Sequence, residues 1–290
     1  MAKNALVLGG GGALGVAWEA GLLAGLREAG IDPGAADLVV GTSAGSIVGT
    51  YVAGGKLDEG LARQSEASDP EITAMIVEAD LPATLQLFAY WGSLPELTRE
   101  VMAEIGAKAL AARTTSEERW AAYFEDLVPV AEWPATPLKL TAVDTATGDF
   151  QVWDGSSGVP IHLAVASSCA VPGMFPPVTI SGRRYTDGGV RSGTSADLAT
   201  GCDSVLIVAP IGAGKDGIEP LLGRTTRAEA EALRAAGSRV ELAFPDADSM
   251  EAVGINRMDS SRRPRCIEAG KRQGRALAAV MSKTWVAARV

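Results

Sequence analysis

Several apolar runs along the chain carry no polar alternation. Ala5-Leu6-Val7-Leu8, Leu38-Val39-Val40 and Ser204-Val205-Leu206-Ile207-Val208-Ala209-Pro210 read as strands buried on both faces, the pattern of a parallel sheet covered by helices. Between the first two runs, Trp18, Leu22, Leu23, Leu26 and Ala29 recur at helical spacing, and Gly30 follows as a C-terminal cap. Strand, glycine loop, helix and strand make a right-handed βαβ unit, so both strands end on the same sheet edge. Further strands are expected at Leu138–Val143, Phe150–Trp153, Val178–Ile180, Arg184–Val190 and Val240–Phe244, with helices over Ile161–Ser168, Thr226–Ser238 and Ile267–Thr284. The fold class is therefore α/β.

The character changes between residues 56 and 135. Helical patterns cover Leu57–Ala67, start again at Asp69-Pro70-Glu71, and run through Leu94–Ala112 and Ser116–Leu127, the last opening with Thr115-Ser116-Glu117-Glu118 in capping style. This stretch reads as a helical insertion over or beside the sheet. Its aromatics Phe88, Tyr90, Trp91, Trp120 and Phe124 either pack onto the core or form a lid or lipid-contacting surface. No repeat, low-complexity tract or proline-rich linker divides residues 1–290, which read as one α/β domain with the insertion inside it.

Composition removes several function classes. A net charge of -9 argues against a nucleic-acid partner, which needs clustered Lys and Arg to neutralise phosphates. The short basic cluster Arg262-Arg263-Pro264-Arg265 reads as a solvated loop. Cys169, Cys202 and Cys266 are odd in number and without paired spacing, as reduced thiols of a cytoplasmic protein would be, and the single histidine, His162, leaves little for a metal site. Residues 5–26 mimic a signal peptide, yet Lys3 is the only basic residue before them and Gly9 to Gly12 interrupt them. No run of about 18 apolar residues marks a spanning helix. The expected location is cytoplasmic or peripheral to a membrane, with the oligomeric state left open.

The chemistry concentrates at sheet-edge turns. Gly41-Thr42-Ser43-Ala44-Gly45 joins a strand to a helix as a nucleophile elbow, in which Gly41 and Gly45 leave room for a sharp turn that lifts the serine hydroxyl. The neighbouring loop Gly10-x-Gly12-x-x-Gly15 also fits a dinucleotide fingerprint, but that reading fails on position: Asp37 sits at the start of the second strand, where a ribose needs an acid at its end. A glycine loop beside a nucleophile reads instead as an oxyanion hole, with the N–H groups of Gly11 and Gly12 as donors. Asp187-Gly188-Gly189 ends a strand in a tight turn. His162 reads as capping or packing a short helix rather than as the base.

In this order and near these spacings, Gly9-Gly10-Gly11-Gly12-Ala13-Leu14-Gly15, Gly41-Thr42-Ser43-Ala44-Gly45 and Asp187-Gly188-Gly189 resemble the patatin-like phospholipases, lipid acyl hydrolases with a serine–aspartate dyad. Ser167 through Pro177 is similar to that family's segment ahead of the aspartate. The resemblance implies a three-layer α/β/α fold with a mainly parallel sheet, Ser43 as nucleophile, Asp187 as direct base and Gly10, Gly11 and Gly12 near the oxyanion. Gly15, Gly188 and Gly189 complete the motifs, no cofactor is required, and the substrate is a lipid or other ester met at a membrane surface. Two departures stand out. Leu14 occupies a position where the family usually has Arg or Lys, which favours a neutral ester or lysolipid, and Arg191-Ser192-Gly193-Thr194-Ser195 replaces the family's usual Asn-x-Pro. The alternative reading is a lipid-binding or scaffolding protein that keeps the fold without turnover.

Overall fold

A computed structural model describes residues 3–212 and 220–285. In chain order the elements are β1 (Asn4–Leu8), α1 (Gly12–Glu28), β2 (Leu38–Gly41), α2 (Ala44–Ala53), α3 (Leu57–Gln64), α4 (Pro70–Glu78), α5 (Leu81–Ser93), α6 (Arg99–Ala111), α7 (Glu117–Leu127), β3 (Leu138–Asp144), β4 (Phe150–Trp153), α8 (Ile161–Ser168), β5 (Val178–Ile180), β6 (Arg183–Asp187), β7 (Ser204–Val208), α9 (Leu221–Ala235), β8 (Arg239–Ala243), α10 (Ala247–Val253) and α11 (Arg263–Met281). The strands form one sheet in which hydrogen-bonded neighbours connect as β5-β6-β3-β2-β1-β7-β8, with β4 also paired to β3. Pairs among β3, β2, β1, β7 and β8 are parallel, and those involving β4, β5 and β6 are antiparallel.

Two apolar cores sandwich the sheet. Leu6 and Leu8 of β1 and Leu206 and Val208 of β7 face one core, shared with α1, α2, α8 and α11. The alternate residues Ala5, Val7, Val205 and Ile207 face the other, against Ala230 and Leu233 of α9. This period-two division of unbroken apolar strands produces three α/β/α layers. Helices α1 and α11 approach so closely that a Cβ at Gly21 would lie 2.4 Å from the Ile267 carbonyl oxygen, and one at Gly274 2.1 Å from that of Leu22.

Helices α3 to α7 occupy the expected insertion and reach both faces. Met75 of α4 and Trp120 and Phe124 of α7 join the first core, whereas Met102 and Ile105 of α6 pack on Val143 and Val190. The aromatics therefore divide. Trp120 and Phe124 are buried, with Trp120 stacked on Phe175 at 4.0 Å and donating to the Ala166 carbonyl at 3.0 Å. Tyr90 bonds Glu104 at the surface. The continuous helical pattern expected from Leu94 is cut short: α6 starts at Arg99, where Thr98 caps it by accepting the Val101 N–H.

The basic cluster at 262–265 is not a solvated loop. Pro264 sits in the first turn of α11, where its missing N–H costs nothing. Arg263 is buried and pairs with Asp69 at 3.0 Å, tying α11 to the head of α4. Helix α10 lies in a stretch for which the sequence pattern gave no element, and α9 begins five residues before Thr226. Cys169, Cys202 and Cys266 are buried and free. No single described helix is long and apolar enough to cross a membrane.

Candidate active site

Ser43 stands between β2 and α2 at φ 53, ψ -119. A left-handed φ in a residue with a side chain costs about 1 to 3 kcal/mol and persists only when its surroundings impose it. Here they do. A Cβ at Gly45 would lie 2.1 Å from the Leu8 carbonyl oxygen, and one at Gly41 would lie 2.6 Å from that of Gly45, so both flanking positions must be glycine for the turn to close. The Ser43 N–H donates to Ser168 Oγ at 2.9 Å, while the Ser43 carbonyl accepts from Ser46 Oγ at 2.6 Å and Cys169 Sγ at 3.3 Å. Helix α8 thus clamps the elbow from below.

Sheet register explains how Asp187 arrives. Leu138 to Leu140 of β3 pair with β2, and Ala142 to Asp144 pair with β6. Strand β4 pairs with Leu140 to Val143, overlapping both, so it must occupy the opposite edge of β3. Strands β2 and β6 therefore share one edge, and β6 begins its pairing where β2 turns away into the elbow. Asp187, the last residue of β6, comes to rest beside Ser43.

Asp187 is 3% exposed, and its Oδ1 accepts the Gly189 N–H at 2.7 Å. Gly188 lies flush against β3, where a Cβ would meet Thr141 Oγ1 at 2.1 Å. Burial pushes the carboxyl up to about 7, a rise that the Ser43 hydroxyl and the Gly189 N–H only partly oppose. Its Oδ2 has no protein hydrogen-bond partner among the described residues. The Ser43 hydroxyl therefore lowers the carboxyl's pKa without satisfying Oδ2 by a hydrogen bond of ordinary geometry.

The glycine loop borders the same space. Gly10 faces the serine, with a hypothetical Cβ 4.0 Å from Ser43 Oγ. Its own N–H, however, is donated to the Gly193 carbonyl at 2.9 Å, so Gly10 borders the expected oxyanion site without offering it a donor. Gly11 caps α1 and Gly12 begins it at φ +65. Neither N–H has a partner among the described residues, and both carry the positive end of a 17-residue helix. Gly15 supports this loop from the next turn, its Cα lying 2.6 Å from a Cβ placed on Gly11.

Gly10, Gly11, Gly12, Ser43, Asp187 and Gly189 line one cavity of about 320 Å³. Phe88 and Trp91 of α5, Met174, Leu222 and Met258 give it apolar walls, so two of the insertion's aromatics are cavity residues. His162 does not take part. It lies in the first turn of α8, about 9 Å along the axis from Ser168 at 1.5 Å per residue. Sequence reasoning missed Ser168 as the acceptor for the Ser43 N–H, Gly193 as the partner of Gly10, and the arrival of residues 257 and 258. Only the 167–177 segment, singled out as a motif, pointed toward the first.

Comparison with known proteins identifies the family. The profile of the patatin-like phospholipases matches residues 6–200. Uncharacterized NTE family proteins of Mycobacterium bovis and Mycobacterium tuberculosis are 30% identical over 207 residues, 68% of this chain. The match spans 47% of the length of these relatives. Among solved structures, VipD from Legionella pneumophila aligns at TM-score 0.46 and 13% identity, covering 96% of this chain and 67% of that one. The type III effector protein ExoU aligns at 0.35 and 14%, covering 94% and 53%. The chain belongs to the patatin-like phospholipase family, whose members are in general lipid acyl hydrolases.

Proposed function

We propose that the chain hydrolyses carboxylic esters of lipids (phospholipids, lysophospholipids or acylglycerols) through an acyl-enzyme on Ser43. The observation that carries this reading is a strained serine and a buried carboxylate facing one cavity beside two unpaired backbone N–H groups. Asp187 takes the Ser43 proton as Oγ bonds the ester carbon, and the carbonyl oxygen becomes negative near the Gly11 and Gly12 N–H groups. Collapse breaks the ester C–O bond, and the leaving alcohol takes the proton from Asp187. Water, deprotonated by the same carboxylate, then attacks the acyl carbon; the Ser43 Oγ–acyl bond breaks, Oγ takes the proton back from Asp187, and the fatty acid is freed.

An ordinary aspartate is a poor base for a hydroxyl. Burial removes that mismatch here, because a carboxyl poised at about 7 combines substantial basicity with substantial ionisation near neutral pH. The exposed apolar side chains of Val77, Leu81 and Leu85 on α4 and α5 support a substrate met at a lipid surface, since α5 also carries Phe88 and Trp91 into the cavity. A short-chain p-nitrophenyl ester assay with fluorophosphonate labelling tests the reading. Turnover and labelling that both vanish in Ser43→Ala support it. Wild-type protein that neither turns over ester nor takes the label favours the non-catalytic lipid binder.

A further inference from the structure

Arg257 belongs to the stretch between α10 and α11, beyond the residues matched by the family profile. It nonetheless meets the glycine loop directly. Its carbonyl accepts the Leu14 N–H at 3.0 Å, and a Cβ placed on Gly12 would lie 3.4 Å from Arg257 Cβ. The residue lines the 320 Å³ cavity together with Ser43 and Asp187. Its Nη1 is buried without a hydrogen-bond partner, and no carboxylate among the described residues pairs with Arg257. Loss of water depresses the guanidinium below its ordinary range, although an arginine stays charged at any physiological pH.

An ionised guanidinium in a mostly apolar cavity is costly unless an anion completes it. Asp187 is the cavity's carboxyl, and its own pKa is raised by burial rather than lowered by a cation, so the two do not neutralise each other. The side chain at position 14 cannot help, because Leu14 is fully buried in the core. Half-buried Arg257 thus brings to the cavity wall a guanidinium whose buried Nη1 has no acceptor and for which the described residues supply no anion. A planar fork of N–H groups matches phosphate oxygens in particular.

We infer that Arg257 is a specificity-determining residue that binds the phosphate of an anionic lipid ester, supplying from the C-terminal part of the chain the basic group absent at position 14. This rests on the lipid-ester reading above and reverses the expectation, drawn from Leu14, of a neutral substrate. A headgroup phosphate held beside Gly12 would place the neighbouring glycerol ester within the cavity that Ser43 faces.

The test uses Ser43→Ala protein, so that binding is read without turnover, and two ether lipids differing only in phosphate: 1-octylglycerol 3-phosphate and 1-octylglycerol, each below its micellar concentration. The phosphorylated ether should bind at least about tenfold more tightly, the scale of a charge-assisted hydrogen bond. Adding Arg257→Met should remove that preference, and Arg257→Lys should retain part of it; Arg257→Gln decides if the methionine variant does not fold. Equal binding of the two ethers, or a preference that survives loss of the guanidinium, overturns the assignment. Inorganic phosphate that competes as strongly as the phosphorylated ether would make this a free-phosphate site and overturn the lipid assignment as well. Absence of wild-type esterase activity would defeat the hydrolase reading alone, because the binding comparison is independent of it.

Discussion

Asp187 pairs with Ala142, two positions beyond the β3 residue that pairs with Gly41. One edge of β3 is used twice, first by the strand that delivers the serine and then by the strand that delivers the carboxylate. Their separation in sequence is large, but the register leaves little freedom in where they meet. A one-residue slip of β6 would turn Asp187 to the opposite face of the sheet.

The buried carboxyl predicts linked pH dependences. In the proposed mechanism Asp187 acts in its ionised form, so kcat/KM should rise with pH through about 7 and level off above it. Asp187→Asn should lower kcat by roughly two to four orders of magnitude, the usual contribution of a general base. Stability runs the other way. The folded pKa is raised above the unfolded value, so the native state binds more protons, and stability falls as pH rises from about 4 to about 7. Asp187→Asn should therefore melt above the wild type at pH 8, with the gap closing toward pH 4; a gap independent of pH would contradict the burial argument.

Ser168→Ala leaves the Ser43 N–H buried without its acceptor, at a cost of about 1 to 3 kcal/mol. The elbow should lose its set angle, lowering kcat about tenfold with little change in KM. Steady-state kinetics on a soluble ester separates this from a loss of binding, which would raise KM alone.

Gly45→Ala should fail for reasons of space. Its methyl group would need the position 2.1 Å from the Leu8 carbonyl oxygen, so β1 and α2 must separate. Denaturant unfolding should show a loss above about 3 kcal/mol, in the range of core overpacking. An unchanged midpoint would show that the elbow can relax.

Arg263→Ala leaves Oδ2 of the half-buried Asp69 with Tyr123 alone and should cost about 1 to 3 kcal/mol, the cost of leaving a partly desolvated polar group without its charged partner. Burial raises Asp69, but the Ile72 N–H, the Tyr123 hydroxyl and the Arg263 guanidinium outweigh it and hold the carboxyl below its ordinary range. Its contribution is thus lost as pH falls through that lowered value. In the Arg263→Ala variant this acid-side loss should begin at higher pH, a shift readable in thermal melts.

The parts of this protein that were readable from sequence are those fixed locally. The elbow needs glycines at fixed offsets from Ser43, and the buried strands need unbroken apolar runs, so both announce themselves within a few residues. Asp187 gave a weaker signal, since Asp-Gly-Gly serves many turns. Arg263 looked solvated because charge clusters usually are; its burial depends on Asp69, contributed from a distant helix. Ser168 and Arg257 act through contacts that no periodicity encodes. The bond from the Gly10 N–H to Gly193 was not legible either, because Gly193 lies in a segment that departs from the family pattern.

The close seating of α1 against α11 also bears on biosynthesis. A nascent chain extrudes its glycine loop about 245 residues before Arg257 and Met258, which pack on that loop, and before the helix that follows them. Until then Trp18 and Leu22 lack the partner surface that seals them, an apolar patch of the kind that attracts chaperones. A chain halted before residue 257 would hold both Ser43 and Asp187 and still lack the wall that Arg257 and Met258 give their cavity.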